Sequence, residues 1–417
     1  MRLDALKRLG SLAKVRPALA ASVPLPGKGL SPIAIDFGVA GLKLLQVQGS
    51  DPPALVAAAY LPTPERLLDD DNKRLDFQTQ QLPKLIREGG FKGKRAVCAI
   101  PAFQTFCKNL QFPKTDGVST KVMVDAAIPT QFNRDPSQLV YRTIDVSTPG
   151  SGKCEVIVVA AMRELVDRLM RAIAAAKLQP VGMHSEFAAT LRAFDYVNRR
   201  EGDLNQTTLY LDVGCAATKI MIAHGKEMSF ARVVNIGGKH LDDLAADQLA
   251  CMRDQARRLR LALSADAPAE PVAVAAAPAR PEAVGAGASE SERRTAAMPP
   301  GFTPEVRQQA PVPVAPDEAD LTELLETLTD EIQMCSRYHA SQFPSRKVDR
   351  VLFVGGEARH RGLCQHIAKA LRLPAQAADP MARVARSGKE PAFGIDLKQP
   401  QPGWAVALGL CLSPTDL

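Results

Sequence analysis

Asp36, Gly38 and Lys43 lie in a fourteen-residue phrase, AIDFGVAGLKLLQV from Ala34, that returns as YLDVGCAATKIMIA from Tyr210. In the second copy Asp212, Gly214 and Lys219 take the same places. Each copy reads as a strand, a glycine-bearing turn and a second strand. A carboxylate at the end of such a strand can hold Mg2+ through the ion's waters, because magnesium keeps most of its hydration shell and takes few protein ligands. Gly38 and Gly214 let the backbone come close and aim N–H groups at phosphate oxygens. Lys43 and Lys219 either reach phosphate or face solvent. A carboxylate, a bare turn and a lysine from each half of a chain are what clamping a metal-chelated polyphosphate between two lobes requires. One D-x-G-x-x-x-x-K is common by chance; two at matching positions are stronger, the alternative being two ordinary tight hairpins.

Those residues need a scaffold, and from Ser31 the pattern is α/β. After the first hairpin the sequence predicts a Pro-rich connection at Pro52–Pro64, a helix near Phe77–Glu88 and a strand Ala96–Ile100 ended by Pro101. Val118–Ile128 reads as helix, and Leu139–Val146 and Cys154–Ala161 as strands around a turn. Glu164–Leu178 and Ser185–Asn198 read as helices, with Ser185 as a cap. In the second half the hairpin Lys219–Val234, preceded by Thr218, leads to Gly237-Gly238 and a helix Leu241–Arg260. A helix Leu321–Gln342 follows, then a strand Val351–Val354, Gly355-Gly356 and a helix Arg359–Leu371. A strand running into Gly-Gly and a helix lets an adenosine ring approach the backbone. Gly403–Leu412 is apolar and helical in character, returning to pack on the first lobe.

Residues 1–30 form a basic tail, broken by Pro17, Pro24 and Pro26. Lobe I is expected over 31–203, with an extra subdomain at 91–162 and residues 390–417 returning to it. Lobe II is expected over 204–264 and 317–389. Between its parts, 265–316 is rich in Ala, Pro, Gly, Glu and Arg and reads as a disordered insertion, too poor in large apolar residues to offset its chain entropy.

At 417 residues two or more domains are the prior. A net charge of +7 invites a nucleic-acid reading, yet acidic residues are plentiful and no aromatic RNP pattern or paired Cys/His ligand set appears. Eight cysteines without a C-x-x-C pair argue against a disulfide framework and for a reducing cytosol. No apolar run reaches the ~18–20 residues that span a bilayer. Gly150-Ser-Gly-Lys153 joins two strands and lacks the first glycine of a P-loop, so a hairpin turn is expected there. His360, Cys364 and His366 diverge on a helix and make a poor metal site.

The two D-x-G hairpins and the later Gly-Gly turn, in this order, resemble the phosphate-1, phosphate-2 and adenosine motifs of the actin-like ATPase superfamily. Within it, SPIAIDFGVAGLKLLQV, Asp125 to Pro129, LVYRTIDV, CEVIVVAAM, the helix opening at Ser185-Glu186-Phe187, LYLDVGCAATKIMIAHGKEMSFARVVNIGG and VLFVGGEARHRGLCQHIAKAL are similar to the PilM family of type IV pilus assembly. The similarity spans nearly the whole chain outside the tail and insertion. It implies an α/β, two-lobed fold with a duplicated sheet-and-helix core and the extra subdomain. It also implies ATP and Mg2+ in the cleft, held by Asp36, Gly38, Lys43, Asp212, Gly214, Thr218, Lys219, Gly237, Gly238, Gly355 and Gly356, with the two aspartates at the metal. Turnover would be slow at most, with Asp125 as candidate for orienting the attacking water; Glu186 is either a second such acid or an ordinary helix-start residue. The partner implied is the N-terminal peptide of a PilN-like inner-membrane protein, which would place the chain in the cytoplasm at the membrane through its partners, in a pilus or related type II secretion platform. A small-molecule kinase and an FtsA-like membrane-associated filament protein are the alternatives on the same fold. Three departures stand out: Val39-Ala40-Gly41 replaces the serines usual in the first turn, Cys215-Ala216-Ala217 precedes Thr218 in the second, and Met123 and Asp125 stand where two glutamates usually precede the Ile128-Pro129 pair.

Overall fold

The computed structural model describes residues 29–115, 117–147, 152–198, 201–266 and 319–415. The expected basic tail, up to residue 28, and the expected disordered insertion, from 267 on, lie outside the described residues. The chain opens with a meander of β1 (Ile33–Phe37), β2 (Gly41–Gln48) and β3 (Ala54–Pro62), then α1 (Asp71–Glu88) and β4 (Arg95–Ile100). An excursion follows: β5 (Thr105–Pro113), α2 (Thr120–Phe132), β6 (Leu139–Asp145) and β7 (Lys153–Met162). The chain returns through α3 (Arg163–Ala175), β8 (Gln179–Ser185) and α4 (Glu186–Ala193).

The second half repeats the plan with β9 (Thr207–Val213), β10 (Thr218–His224), β11 (Glu227–Val234), α5 (Gly238–Gln248) and α6 (Arg253–Asp266). It continues with α7 (Thr322–Gln342), β12 (Arg350–Val354), α8 (Arg361–Leu371), β13 (Ala375–Ala377), β14 (Ala392–Phe393) and α9 (Ala405–Cys411). Three sheets result, ordered β14-β3-β2-β1-β4-β8, β11-β10-β9-β12-β13 and β5-β7-β6. In both large sheets an antiparallel three-strand meander meets parallel strands delivered by helical crossovers, β4 beside β1 and β12 beside β9.

Strand periodicity explains where the motif residues point. Successive side chains of a strand face opposite sides of its sheet. On β1, Ile33, Ile35 and Phe37 join a core with Leu75, Leu82 and Leu85 of α1 and Leu169 and Ile173 of α3. On β9, Leu209, Leu211 and Val213 pack with Leu328 and Ile332 of α7 and Leu363 and Ile367 of α8. The alternate positions, Ala34, Leu45 and Val97 of one sheet and Tyr210, Met221 and Leu352 of the other, belong to one continuous core that also takes in α4 and α9. Asp36 and Lys43 share the face of Ala34 and Leu45, and Asp212 and Lys219 that of Tyr210 and Met221. Pleat parity thus turns all four charged side chains toward the layer between the sheets. The two helices in that layer approach very closely: a Cβ placed on Gly409 of α9 would lie 1.7 Å from the carbonyl oxygen of Ala189 on α4.

Several sequence expectations shift. Most of the Pro-rich connection at Pro52–Pro64 is strand β3, paired with β2 on both sides of a register shift between Gln46 and Val47. The helix near Phe77–Glu88 starts at Asp71, where the Asp70 carboxylate accepts from the Lys73 N–H as its cap. Leu241–Arg260 is two helices, α5 and α6, parted where Ala250 turns to a φ of 48°. Strands β5 and β8 went unread. Ser185 caps α4 as expected, its hydroxyl accepting from the Ala188 N–H.

Two buried histidines give the fold an acid limit. Burial, aided by the nearby Arg346 charge, pushes His339 down to about 4, and burial with Arg260 does the same to His360. An unfolded histidine titrates near 6.5, so between that pH and 4 the unfolded chain binds more protons and stability falls as acid is added. The loss is up to about 3 kcal/mol per histidine. Melting at pH 4.5 should therefore fall well below melting at pH 7.5, and His339→Leu should narrow the gap.

Candidate functional site

Both hairpins turn through four residues, and the ladder registers pair Asp36 with Lys43 and Asp212 with Lys219. Seven-residue spacing across a four-residue loop puts each lysine directly opposite its aspartate, close enough for cross-strand ion pairing. The Lys43 ammonium lies 3.1 Å from Asp36 Oδ2, and that of Lys219 2.7 Å from Asp212 Oδ2. Lys219 also bonds the carboxylate of Glu186, the first residue of α4. Thr190, one turn further along α4, donates to Asp212 Oδ2 at 3.4 Å. Asp36, Asp212, Glu186 and Lys219 are all buried.

The electrostatics show that the two hairpins converge. Burial, opposed by the Lys219 charge and reinforced by Asp36 and Asp212, raises the Glu186 carboxyl above its ordinary range. Burial disfavours charge on Lys43 and Lys219, yet the paired carboxylates win and hold both ammonium groups above the usual lysine range. Lys43 feels Lys219 as a like charge, and Glu186 feels both aspartates. The solvent-facing alternative for the lysines is overturned, because hairpin geometry turns them inward onto carboxylates.

The glycine pairs close around this cluster. Gly355, at a φ of 89°, lies so close to β9 that a Cβ there would be 2.5 Å from Asp212 Oδ1. Gly238 and Lys239, at the start of α5, donate their N–H groups to the carbonyls of Gly214 and Cys215 at 2.9 and 2.8 Å. A Cβ on Gly237 would lie 2.6 Å from the Cys215 oxygen. Gly38 is less crowded and Gly356 is open. Thr218 is buried and donates its hydroxyl to the Ile236 carbonyl at 2.7 Å, so it pins the turn to the strand end before α5. Asp125 does not join these residues: it sits on α2 of the three-stranded subdomain, bound to Lys121 at 2.6 Å and to the Tyr141 hydroxyl.

A second charged cluster went unread in the sequence. Glu357, just past Gly356, is 1% exposed. Arg260 bonds it at 2.8 Å and Asp242 at 2.6 Å, and Arg257 reaches both acids at 3.3 Å. A Cβ on Gly238 would lie 2.2 Å from Glu357 Oε1, so this side chain fills the space between the Gly-Gly turn and α5. At the outer edge Asp69, from the loop before α1, bonds Lys239 and Arg253 at 2.9 Å each. The signal available was Arg253, Arg257 and Arg260 at helical spacing, one basic stripe on α6.

A nucleotide and its magnesium meet mixed conditions here. The glycine turns survive, but the carboxylates that would orient a hydrated Mg2+ already hold lysine ammonium groups. The space beside the adenosine-type turn holds Glu357 and its arginines. The site side chains therefore do not fit the metal.

Two meander-based sheets packed about a shared core, each lending one Asp-Gly hairpin, with a Gly-Gly turn beside them and a third small sheet inserted after β4, define the chain as a protein of the actin-like ATPase fold. The family model described as type IV pilus assembly protein PilM matches residues 34–266. The chain belongs to the PilM family. Among solved structures, a PilM–PilN type IV pilus biogenesis complex matches at 21% identity and a TM-score of 0.66, over 92% of this chain and 98% of that one. The ethanolamine utilization protein EutJ from Carboxydothermus hydrogenoformans matches at 13% identity and 0.48, over 93% and 91%. MreB5 of Spiroplasma citri bound to ADP matches at 10% and 0.46, over 92% and 95%. A comparison with curated proteins finds no match.

Proposed function

We propose that this chain is a cytoplasmic scaffold of a type IV pilus, or related type II secretion, assembly platform that holds the N-terminal peptide of a PilN-like inner-membrane protein. The observation that carries this reading is family membership together with an actin-like fold that bears the extra β5-β7-β6 subdomain. That subdomain has its own core, in which Val124, Ile128 and Phe132 of α2 pack on Leu110, Val156 and Val158. It also touches the second lobe, where Asn109 donates to the Ala231 carbonyl at 3.0 Å. A platform element so placed can hold a partner peptide while remaining tied to both lobes. Among the described residues no helix is long and apolar enough to cross a membrane, and in this reading the partner supplies the attachment. An actin-like fold also suggests a nucleotide in the cleft, and the glycine turns are the part of the site that supports one.

A synthetic peptide of the I-N-L-L-P type should bind saturably, burying its apolar side chains in a groove beside the three-stranded subdomain. Titration calorimetry or fluorescence anisotropy with the full chain would measure this. Absence of saturable binding at high micromolar peptide would count against the pilus reading while sparing the fold.

A further inference from the structure

We infer that the cleft is held closed by the chain's own charges, so that partner-peptide binding does not depend on Mg·ATP. This rests on the scaffold reading for the peptide and on geometry for the cleft. Lys219 projects from the second-lobe hairpin and bridges Asp212 of its own lobe to Glu186 at the start of α4. A cation shared by two carboxylates is the part a divalent metal would play, but this one is covalently fixed to β10 and cannot dissociate. Lys43 does the same for Asp36 in the first lobe. With two lysines set against Asp36, Asp212 and Glu186, at most one negative charge is left over.

Direct bonds cross the cleft at three further points. Asp69 of the first lobe grips Lys239 and Arg253 of the second. The Gly355 N–H donates to the Pro402 carbonyl, and Arg359 donates to the Pro400 carbonyl and to Gln401 Oε1. These last tie the segment leading into α9 to the adenosine-type turn. Asn109 and Cys107 both donate to the Ala231 carbonyl, tying β5 to β11. None of these contacts needs a bound molecule to complete it.

A nucleotide entering the cleft must displace what already fills it. A group approaching the Gly355-Gly356 turn would meet Glu357 held by Arg260 and Arg257, and a metal would have to compete with Lys219 for Asp212. Uncoupling a buried, hydrogen-bonded ion pair weakens binding on the order of a hundredfold to a thousandfold. A micromolar Mg·ATP site would thereby become submillimolar or weaker.

The test uses the wild-type full chain, stripped of nucleotide and divalent ions by unfolding in denaturant with EDTA and refolding. Its melting temperature is measured with EDTA alone and with 1 mM Mg·ATP, and the dissociation constant of the I-N-L-L-P peptide is measured in both buffers. The inference expects the two melting temperatures to agree within about two degrees and the peptide constants within about twofold. A rise of several degrees with Mg·ATP, or peptide binding tightened tenfold by it, would overturn the inference. If the peptide binds in neither buffer, the scaffold reading fails, and the melting comparison still decides whether the cleft needs nucleotide.

Discussion

Lys219→Ala is expected to cost about 3–5 kcal/mol of stability, enough to leave a substantial unfolded fraction at room temperature. The reason is desolvation. The lysine holds two buried carboxylates at once, and its removal leaves Asp212 and Glu186 facing each other without a compensating cation. Lys219→Met with Glu186→Gln in the same chain should recover part of the loss, because one of the two stranded charges goes with it. Urea unfolding of wild type and both variants would measure this. Equal losses in single and double variants would mean that the ammonium contributes packing and not charge balance.

Gly409→Val should be as damaging, by more than about 3 kcal/mol, through overpacking. Any Cβ at this position must push α9 away from the Ala189 carbonyl. The displacement would open the core that the two sheets share. Gly403→Ala provides the contrast, since a Cβ there meets its nearest atom, the Gly356 nitrogen, at 3.3 Å and needs a shift of only a few tenths of an ångström. Denaturant midpoints for the two variants should therefore differ widely. Similar midpoints would show that α9 can slide without cost.

Much of this architecture could be read from the repeated phrase, because strand–turn–strand pattern and glycine position are local properties. The face that Asp36 and Asp212 each take on its own sheet is also local, since it follows from counting pleat parity from Ala34 and from Tyr210. The Asp–Lys pairing was within reach too: a seven-residue interval and a four-residue turn leave no other register. Strand β3 stayed hidden because Pro52, Pro53 and Pro62 bound it and dominate the composition of the window. Those prolines sit at strand ends, where a missing N–H costs little. Of the Glu357–Arg260–Asp242 cluster only the basic stripe on α6 was legible. Its members come from α5, α6 and the turn after β12, and only the tertiary fold brings them together. The local partners of Asp125, Lys121 and Tyr141, were not legible in the resemblance either, which gave it only as a candidate for orienting water.

The first sheet receives its edge strand β14 and its covering helix α9 from residues 392–411, after the whole second sheet has been threaded. On the ribosome, then, the earlier half of the molecule emerges first yet finishes last. Part of the surface that Ala34, Leu45 and Val97 present stays uncovered until α9 has emerged. The later half can complete its own hydrogen-bonded ladder meanwhile, so the docking of α9 between the two sheets should be a late step of assembly.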